Sequence, residues 1–169
     1  GGHVRLIVSG GGSLHKDIDT FFLNHGVEIL EGYGMTEMAP VISARIPNTK
    51  YESIGTVGKP MQDVQVEVRS YDDKVLSYNQ EGVLFVNGPN KMLGYFKNQD
   101  ETDKVIGSDG FLNTGDIGYI KEDGNLVITG RAKDEIVLSN GENVRPEHLE
   151  EMIKANKYID QTMVVGEHL

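Results

Sequence analysis

Two hydrophobic periods run along this chain, and the change between them divides it. Val4 to Ser9 is a short apolar run that ends in Gly10-Gly11-Gly12, as a buried strand would. Ser13 then reads as a helix N-cap, and Leu14, Ile18, Phe21, Phe22 and His25 follow at helical spacing until Gly26 stops them. Val27 to Leu30 reads as the next strand, which gives strand–helix–strand with the two strands parallel. Beyond residue 51 the period shortens to two. Val64, Val66 and Val68 alternate with polar residues, Gly82 to Asn87 is a second strand, and Asp116 to Lys121 and Asn125 to Ile128 flank the hairpin signal Glu122-Asp123-Gly124. A small antiparallel sheet or barrel is expected there. After Gly130, Glu135 to Leu138 and Asn143-Val144 flank a further hairpin, Ser139-Asn140-Gly141-Glu142. Pro146 suits the first turn of a helix, with Glu147, Glu150 and Glu151 favouring its N-terminus and Leu149, Met152 and Ile153 forming its apolar face. Thr162 to Val165 reads as a last strand.

The pattern predicts a mixed α+β fold in three parts. Residues 1–50 form an α/β piece, residues 51–130 an antiparallel, barrel-like subdomain, and residues 131–169 open a second domain. That last stretch is too short to bury a core of its own.

Composition narrows the functions. The 169 residues are 38% apolar, include 21 glycines and carry a net charge of −10 with no Lys/Arg cluster, which argues against nucleic acid and anionic membrane as general partners. With no cysteine there is no disulfide, thiolate metal site or cysteine nucleophile. No apolar run approaches the roughly 18 residues of a transmembrane segment, and no signal peptide is visible. The five histidines, His3, His15, His25, His148 and His168, are scattered without ligand spacing.

Four places carry chemistry. Gly10-Gly11-Gly12-Ser13 lies between a strand and a helix, where free N–H groups bind anions, though its spacing fits neither the dinucleotide fingerprint nor the phosphate-loop motif; a plain tight turn is the alternative. Tyr33-Gly34-Met35-Thr36-Glu37 follows a strand end, the place where open α/β sheets gather ligands. It offers a flat ring, a hydroxyl and a hard carboxylate ligand. Asp116, after Thr114-Gly115, can accept hydrogen bonds from a ribose diol, or can be an ordinary turn aspartate. Arg131 and Lys133 flank the junction to the tail, either as hinge residues or as a solvated basic pair. Met35, Met38 and Met61 would soften an acyl pocket or simply fill a core.

Three of these stretches occur in a fixed order: Gly32-Tyr33-Gly34-Met35-Thr36-Glu37, Asn113-Thr114-Gly115-Asp116, and the run from Gly130-Arg131-Ala132-Lys133-Asp134-Glu135 through Ile136-Val137-Leu138-Ser139-Asn140-Gly141-Glu142-Asn143 to Val144-Arg145-Pro146-Glu147. Together they resemble the adenylate-forming superfamily of acyl-CoA synthetases, luciferases and peptide-synthetase adenylation domains, over nearly the whole chain. The resemblance implies that the glycine turn lies against adenine, with Gly12 where alanine is common, and this displaces the phosphate reading. It implies that Tyr33 packs on adenine, Thr36 contacts the α-phosphate, Glu37 holds Mg2+, Asp116 binds ribose, Ile128 lines the adenine pocket and Arg131 reaches the ribose or phosphate side. Lys133 takes the hinge position. The hairpin glycine Gly141 would leave room for the pantetheine arm of coenzyme A, with Glu142 and Asn143 beside it. The wording of residues 136–143 is similar to long-chain acyl-CoA synthetases, which use a fatty acid, ATP with release of AMP, Mg2+ and CoA. Acyl-(acyl-carrier-protein) synthetases and amino- or aryl-acid adenylating domains are the near alternatives, and a non-catalytic nucleotide-binding or scaffold module is the distant one. A Ser/Thr/Gly-rich phosphate loop and a C-terminal catalytic lysine of that family are absent from these residues, so the chain is expected to be a piece with negligible turnover alone. A cytoplasmic enzyme is implied, with peripheral membrane contact of the longer protein left open.

Overall fold

The computed structural model describes residues 3–4, 6–138, 143–154 and 156–166. β1 (Ile7–Gly10) leads through α1 (Lys16–Asn24) to β2 (Ile29–Gly34), and the two strands are parallel, with Gly10 opposite Gly32. Their sheet continues through two antiparallel strands, β3 (Val41–Ala44) and β4 (Lys59–Pro60), in the order β1-β2-β3-β4. The period-2 region then forms β5 (Gln65–Arg69), β6 (Gly82–Asn87), α2 (Gln99–Val105), β7 (Leu112–Ile120) and β8 (Leu126–Arg131). Its strands lie in sequence order as an antiparallel sheet, open between β5 and β8. A 3-10 turn (Ala132–Asp134), the two-stranded β9 (Ile136–Val137) and β10 (Asn143–Val144), and α3 (Pro146–Lys154) follow.

The fold is mixed α+β, as the periodicity predicts, with differences in detail that have physical causes. The N-cap of α1 is His15, not Ser13: the Glu31 carboxylate accepts the Leu14 N–H at 3.1 Å, so the helix starts later and the His15 ring accepts the Asp17 N–H at 3.2 Å. No strand forms at Thr162–Val165; the Val164 N–H donates instead to the Glu150 carboxylate of α3 at 2.8 Å. The apolar face of α3 is open, with Met152 63% exposed, because the described tail supplies no second layer to cover it. Three elements escape the pattern. β3 and β4 are too short for a period to register. α2 has no apolar stripe, yet Asn98 caps it by accepting the Glu101 N–H, and Asp100 and Glu101 at its start and Lys104 at its end suit its dipole.

Two structures position the site. Met38, Ile42, Val86 and Leu112 are fully buried together, and Tyr33, Met35, Val64, Val66, Met92 and Ile106 pack on them, so one core joins the two sheets. Met38 is therefore core, while Met61 is 45% exposed. Beneath the parallel pair lies a buried ion network. The Arg45 guanidinium donates to Asp19 at 2.6 Å, Glu31 at 2.8 Å and the Thr56 carbonyl at 2.7 Å, with the Arg45 side chain only 1% exposed. It ties α1, β2 and the end of β3 to one point. Burial pushes the Glu31 carboxyl up, against the opposing pull of the Leu14 N–H and the Arg45 charge.

Candidate nucleotide site at the strand ends

The C-terminal ends of parallel β1 and β2 lie side by side, and their loops bring two of the sequence motifs together. Gly10, Gly11 and Gly12 form an exposed turn at one end, and Gly32 to Glu37 leave the other. The backbone of this second segment is fixed by a close crossing. A Cβ at Gly34 would fall on the Pro40 carbonyl oxygen, and the Met35 N–H donates to that same oxygen at 2.8 Å. Glycine is required there by space, and the crossing starts the 3-10 turn Thr36–Met38, which exposes Thr36 and leaves Glu37 half-buried.

Asp116 reaches the site through an irregularity in β7. Asn113 pairs with Phe85 and Ile117 with Val83, so Thr114, Gly115 and Asp116 all lie opposite Leu84. Bulges of this kind re-aim side chains. Gly115 has φ +72°, the left-handed region that favours glycine. The Thr114 hydroxyl donates to the Leu84 carbonyl at 2.9 Å and accepts the Asp116 N–H at 3.1 Å. Asp116 therefore sits within a strand rather than at its start.

The bulge delivers Asp116 to the first sheet. The Tyr33 hydroxyl donates to Asp116 Oδ2 at 2.6 Å, a bond between residues 83 positions apart. Arg131, opposite Asp116 on β8, places its Nε 3.1 Å from Oδ1. Burial, then the Asp116 charge and hydrogen bond, hold the Tyr33 phenol far above its ordinary pKa, so it remains a donor. An ionised carboxylate has about four lone-pair sites. Two are used by Tyr33 and Arg131, which leaves acceptor capacity for a diol. Ile128 is half-buried on β8 opposite Gly118, beyond a register shift from the Asp116–Arg131 pair.

Glu37 is the carboxylate of the 3-10 turn. Its Oε1 accepts the Tyr95 hydroxyl at 2.8 Å, and no arginine or lysine among the described residues is paired with it. Among the described residues no group of three or more His, Cys, Asp or Glu could hold a metal by itself. A single carboxylate suits Mg2+, which prefers one or two carboxylates and completes its shell with phosphate oxygens and water.

The site stops short of the tail. Lys133 is exposed in the 3-10 turn directly after β8. Gly141 and Glu142 lie outside the described residues, and Asn143 is described only by its backbone pairing with Val137. The junction carries a cluster that sequence reading misses. Arg145 donates to Glu81 at 2.9 and 2.5 Å and to Glu135 at 3.0 Å, and the Tyr71 hydroxyl donates to Glu135 at 2.7 Å. The start of β6 is thereby tied to the segment beyond the junction. Arg145 holds the Glu81 carboxyl below its ordinary value.

Comparison with known proteins places this arrangement. Residues 1–96 match the AMP-binding enzyme family, and residues 133–168 match the AMP-binding enzyme C-terminal domain. The chain is 42% identical to probable acyl-activating enzyme 16 of Arabidopsis thaliana, covering 98% of this chain and 24% of that protein. It is 39% identical to the long-chain-fatty-acid–[acyl-carrier-protein] ligase AEE15 of the same plant, over 95% of this chain and 23% of that protein. It is 37% identical to a long-chain-fatty-acid–CoA ligase of Yersinia pestis, over 96% and 29%. Its fold superposes on o-succinylbenzoate coenzyme A synthetase of Bacillus subtilis in complex with ATP and magnesium ion, with TM-score 0.86 and 29% identity over 96% of this chain and 34% of that one. The fold is that of an adenylate-forming enzyme. The chain belongs to the AMP-binding enzyme family, and it spans about a quarter of the length of the curated relatives it matches.

Proposed function

We propose that the longer protein containing this chain is an acid–thiol ligase that activates a fatty acid with ATP and passes the acyl group to coenzyme A. The observation that carries this reading is the Tyr33–Asp116 bond. It sets a carboxylate with spare acceptor capacity against the strand-end loop that bears Thr36 and Glu37. In this reading Gly10, Gly11, Gly12, Gly32, Tyr33, Gly34 and Met35 border adenine together with Ile128, and Asp116 and Arg131 hold the ribose. Thr36 donates its hydroxyl to the α-phosphate. Glu37 is the protein's ligand to Mg2+, which when bound neutralises phosphate charge.

The chemistry has two steps. A carboxylate oxygen of the acid attacks the α-phosphorus of ATP, the bond to the β-phosphate breaks, and pyrophosphate leaves. The CoA thiol, having given up its proton, then attacks the acyl carbon, and AMP leaves with the shared oxygen. The residues of this chain contribute orientation of the nucleotide and fixed donors near the α-phosphate.

The three-part division of the chain belongs to this proposal. Residues 1–50 and 51–130 supply the nucleotide side, and residues 131–169 begin a domain that turns about Lys133. Gly141, Glu142 and Asn143 would then face the pantetheine arm. Among the described residues no helix is long and apolar enough to cross a membrane. A cytoplasmic location of the longer protein is what the family resemblance implies. An acyl-carrier-protein acceptor is the second reading, favoured by the 39% identity to a ligase of that name.

The experiment is fatty-acid-dependent exchange of pyrophosphate into ATP by the full-length protein across a series of chain lengths. CoA and carrier protein then compete as acceptors. Exchange that peaks with long acids supports the proposal; amino or aryl acids as the only substrates would replace it.

A further inference from the structure

The loop between β6 and α2 approaches the strand-end segment from the second sheet and holds it at several atoms. The Met92 N–H donates to the Glu37 carbonyl at 2.7 Å. The Asn90 side-chain amide donates to the Met38 carbonyl at 2.5 Å and the Val41 carbonyl at 3.0 Å. The Tyr95 hydroxyl donates to Glu37 Oε1 at 2.8 Å. Backbone and side chain of Glu37 are thus both gripped by a segment more than fifty positions away.

The grip is itself anchored. The Tyr95 N–H donates to the Thr102 hydroxyl at 2.9 Å, and that hydroxyl donates to the Asn98 carbonyl at 2.9 Å. Thr102 is buried on α2, so the backbone of Tyr95 is fixed to a helix rather than left to a free loop. A glutamate on an exposed turn otherwise samples many rotamers, and ordering it opposes cation binding. Partners that hydrogen-bond a metal-ligating carboxylate remove that freedom and orient its second oxygen.

We propose that Tyr95 is a positioning residue for Glu37, holding one carboxylate oxygen so that the other is presented to the divalent cation that accompanies ATP. This rests on the assignment of Glu37 as the cation ligand. It gives the otherwise polar helix α2 a role as the far support of the site. In this role Tyr95 acts through Glu37 alone.

The test uses the full-length enzyme and Mn2+ as the probe. Binding of Mn2+ in the presence of ATP is followed by electron paramagnetic resonance in the wild type, Y95F, E37Q and the double variant. Y95F should weaken Mn2+ binding about 10-fold, the lower end for loss of a partner to a metal ligand. It should raise the Mg2+ concentration needed for half-maximal exchange by a similar factor, with the KM for the acid unchanged. In the E37Q background the Y95F effect should vanish, because Tyr95 acts through that carboxylate. T102V, which keeps the phenol and frees its backbone, should weaken Mn2+ binding in the same direction. Unchanged Mn2+ affinity in both Y95F and T102V, or a Y95F effect that persists in E37Q, overturns the inference. If Mn2+ affinity in the ATP complex does not depend on Glu37 at all, the underlying site assignment fails instead.

Discussion

Arg45→Met tests whether the buried ion network supports the site. The substitution keeps side-chain length and removes the charge. Asp19 and Glu31 have side chains only 5% and 6% exposed, and both lose their cation. Breaking a buried pair from one side costs about 3–5 kcal/mol, because the remaining charge is stranded. Against a typical total of roughly 5–15 kcal/mol that is a large share. At about 2–4 °C per kcal/mol for a chain of this size, the melting temperature should fall by roughly 6–20 °C. The pH dependence fixes the cause. Burial already raises the Glu31 carboxyl while Arg45 opposes the rise, so without Arg45 it rises further. A carboxyl whose folded pKa lies above its unfolded value stabilises the fold fully below the unfolded value, and that contribution is lost as pH rises through the folded one. The gap between variant and wild type should therefore be widest at neutral pH and shrink towards acid. Urea and thermal melts followed by far-ultraviolet circular dichroism at pH 7 and pH 5 measure both effects. A loss below about 1 kcal/mol, or a gap that does not change with pH, would refute the reasoning.

Asp116→Asn keeps shape but gives up the charge that accepts from Tyr33, Arg131 and the proposed ribose; calorimetry should show AMP binding by the full-length protein weakened at least about tenfold, roughly 1.4 kcal/mol. At the junction, Arg145 lowers the Glu81 carboxyl, so the contact stabilises fully above the ordinary glutamate range and is lost as pH falls through the lowered value. Carboxyl NMR should find Glu81 titrating below an ordinary glutamate in the wild type and higher in R145L.

Much of this was legible from residue order because local signals were strong. A strand before the glycine turn, a helix after it and the hairpin around Glu122-Asp123-Gly124 all form, but the strand is confined to Ile7–Gly10 with Val4, Leu6 and Val8 exposed rather than buried, and the helix is capped at His15 rather than Ser13. The site was legible as three separate words but not as one place. The Tyr33–Asp116 bond joins residues 83 apart, and such pairs leave no periodic trace. The bulge that aims Asp116 was signalled only by Gly115, a glycine with positive φ inside a long strand. Arg45 closes a strand at a position that reads as surface, and only the fold shows that two carboxylates converge on it. Tyr95 reads as one aromatic in a glycine-bearing loop; the helix behind it, polar except for Val105, could have been found from its Asn98 cap.

The central claim is that these motifs form the nucleotide side of an enzyme that makes an acyl-adenylate. Exchange of labelled pyrophosphate into ATP by the full-length protein, with a fatty-acid length series and this 169-residue chain alone as control, tests it most directly. The account predicts exchange that requires the acid, peaks at long chains, is abolished by E37Q and is negligible for the chain alone. A folded full-length protein that exchanges with no carboxylic acid, or a chain that sustains exchange by itself, would contradict it.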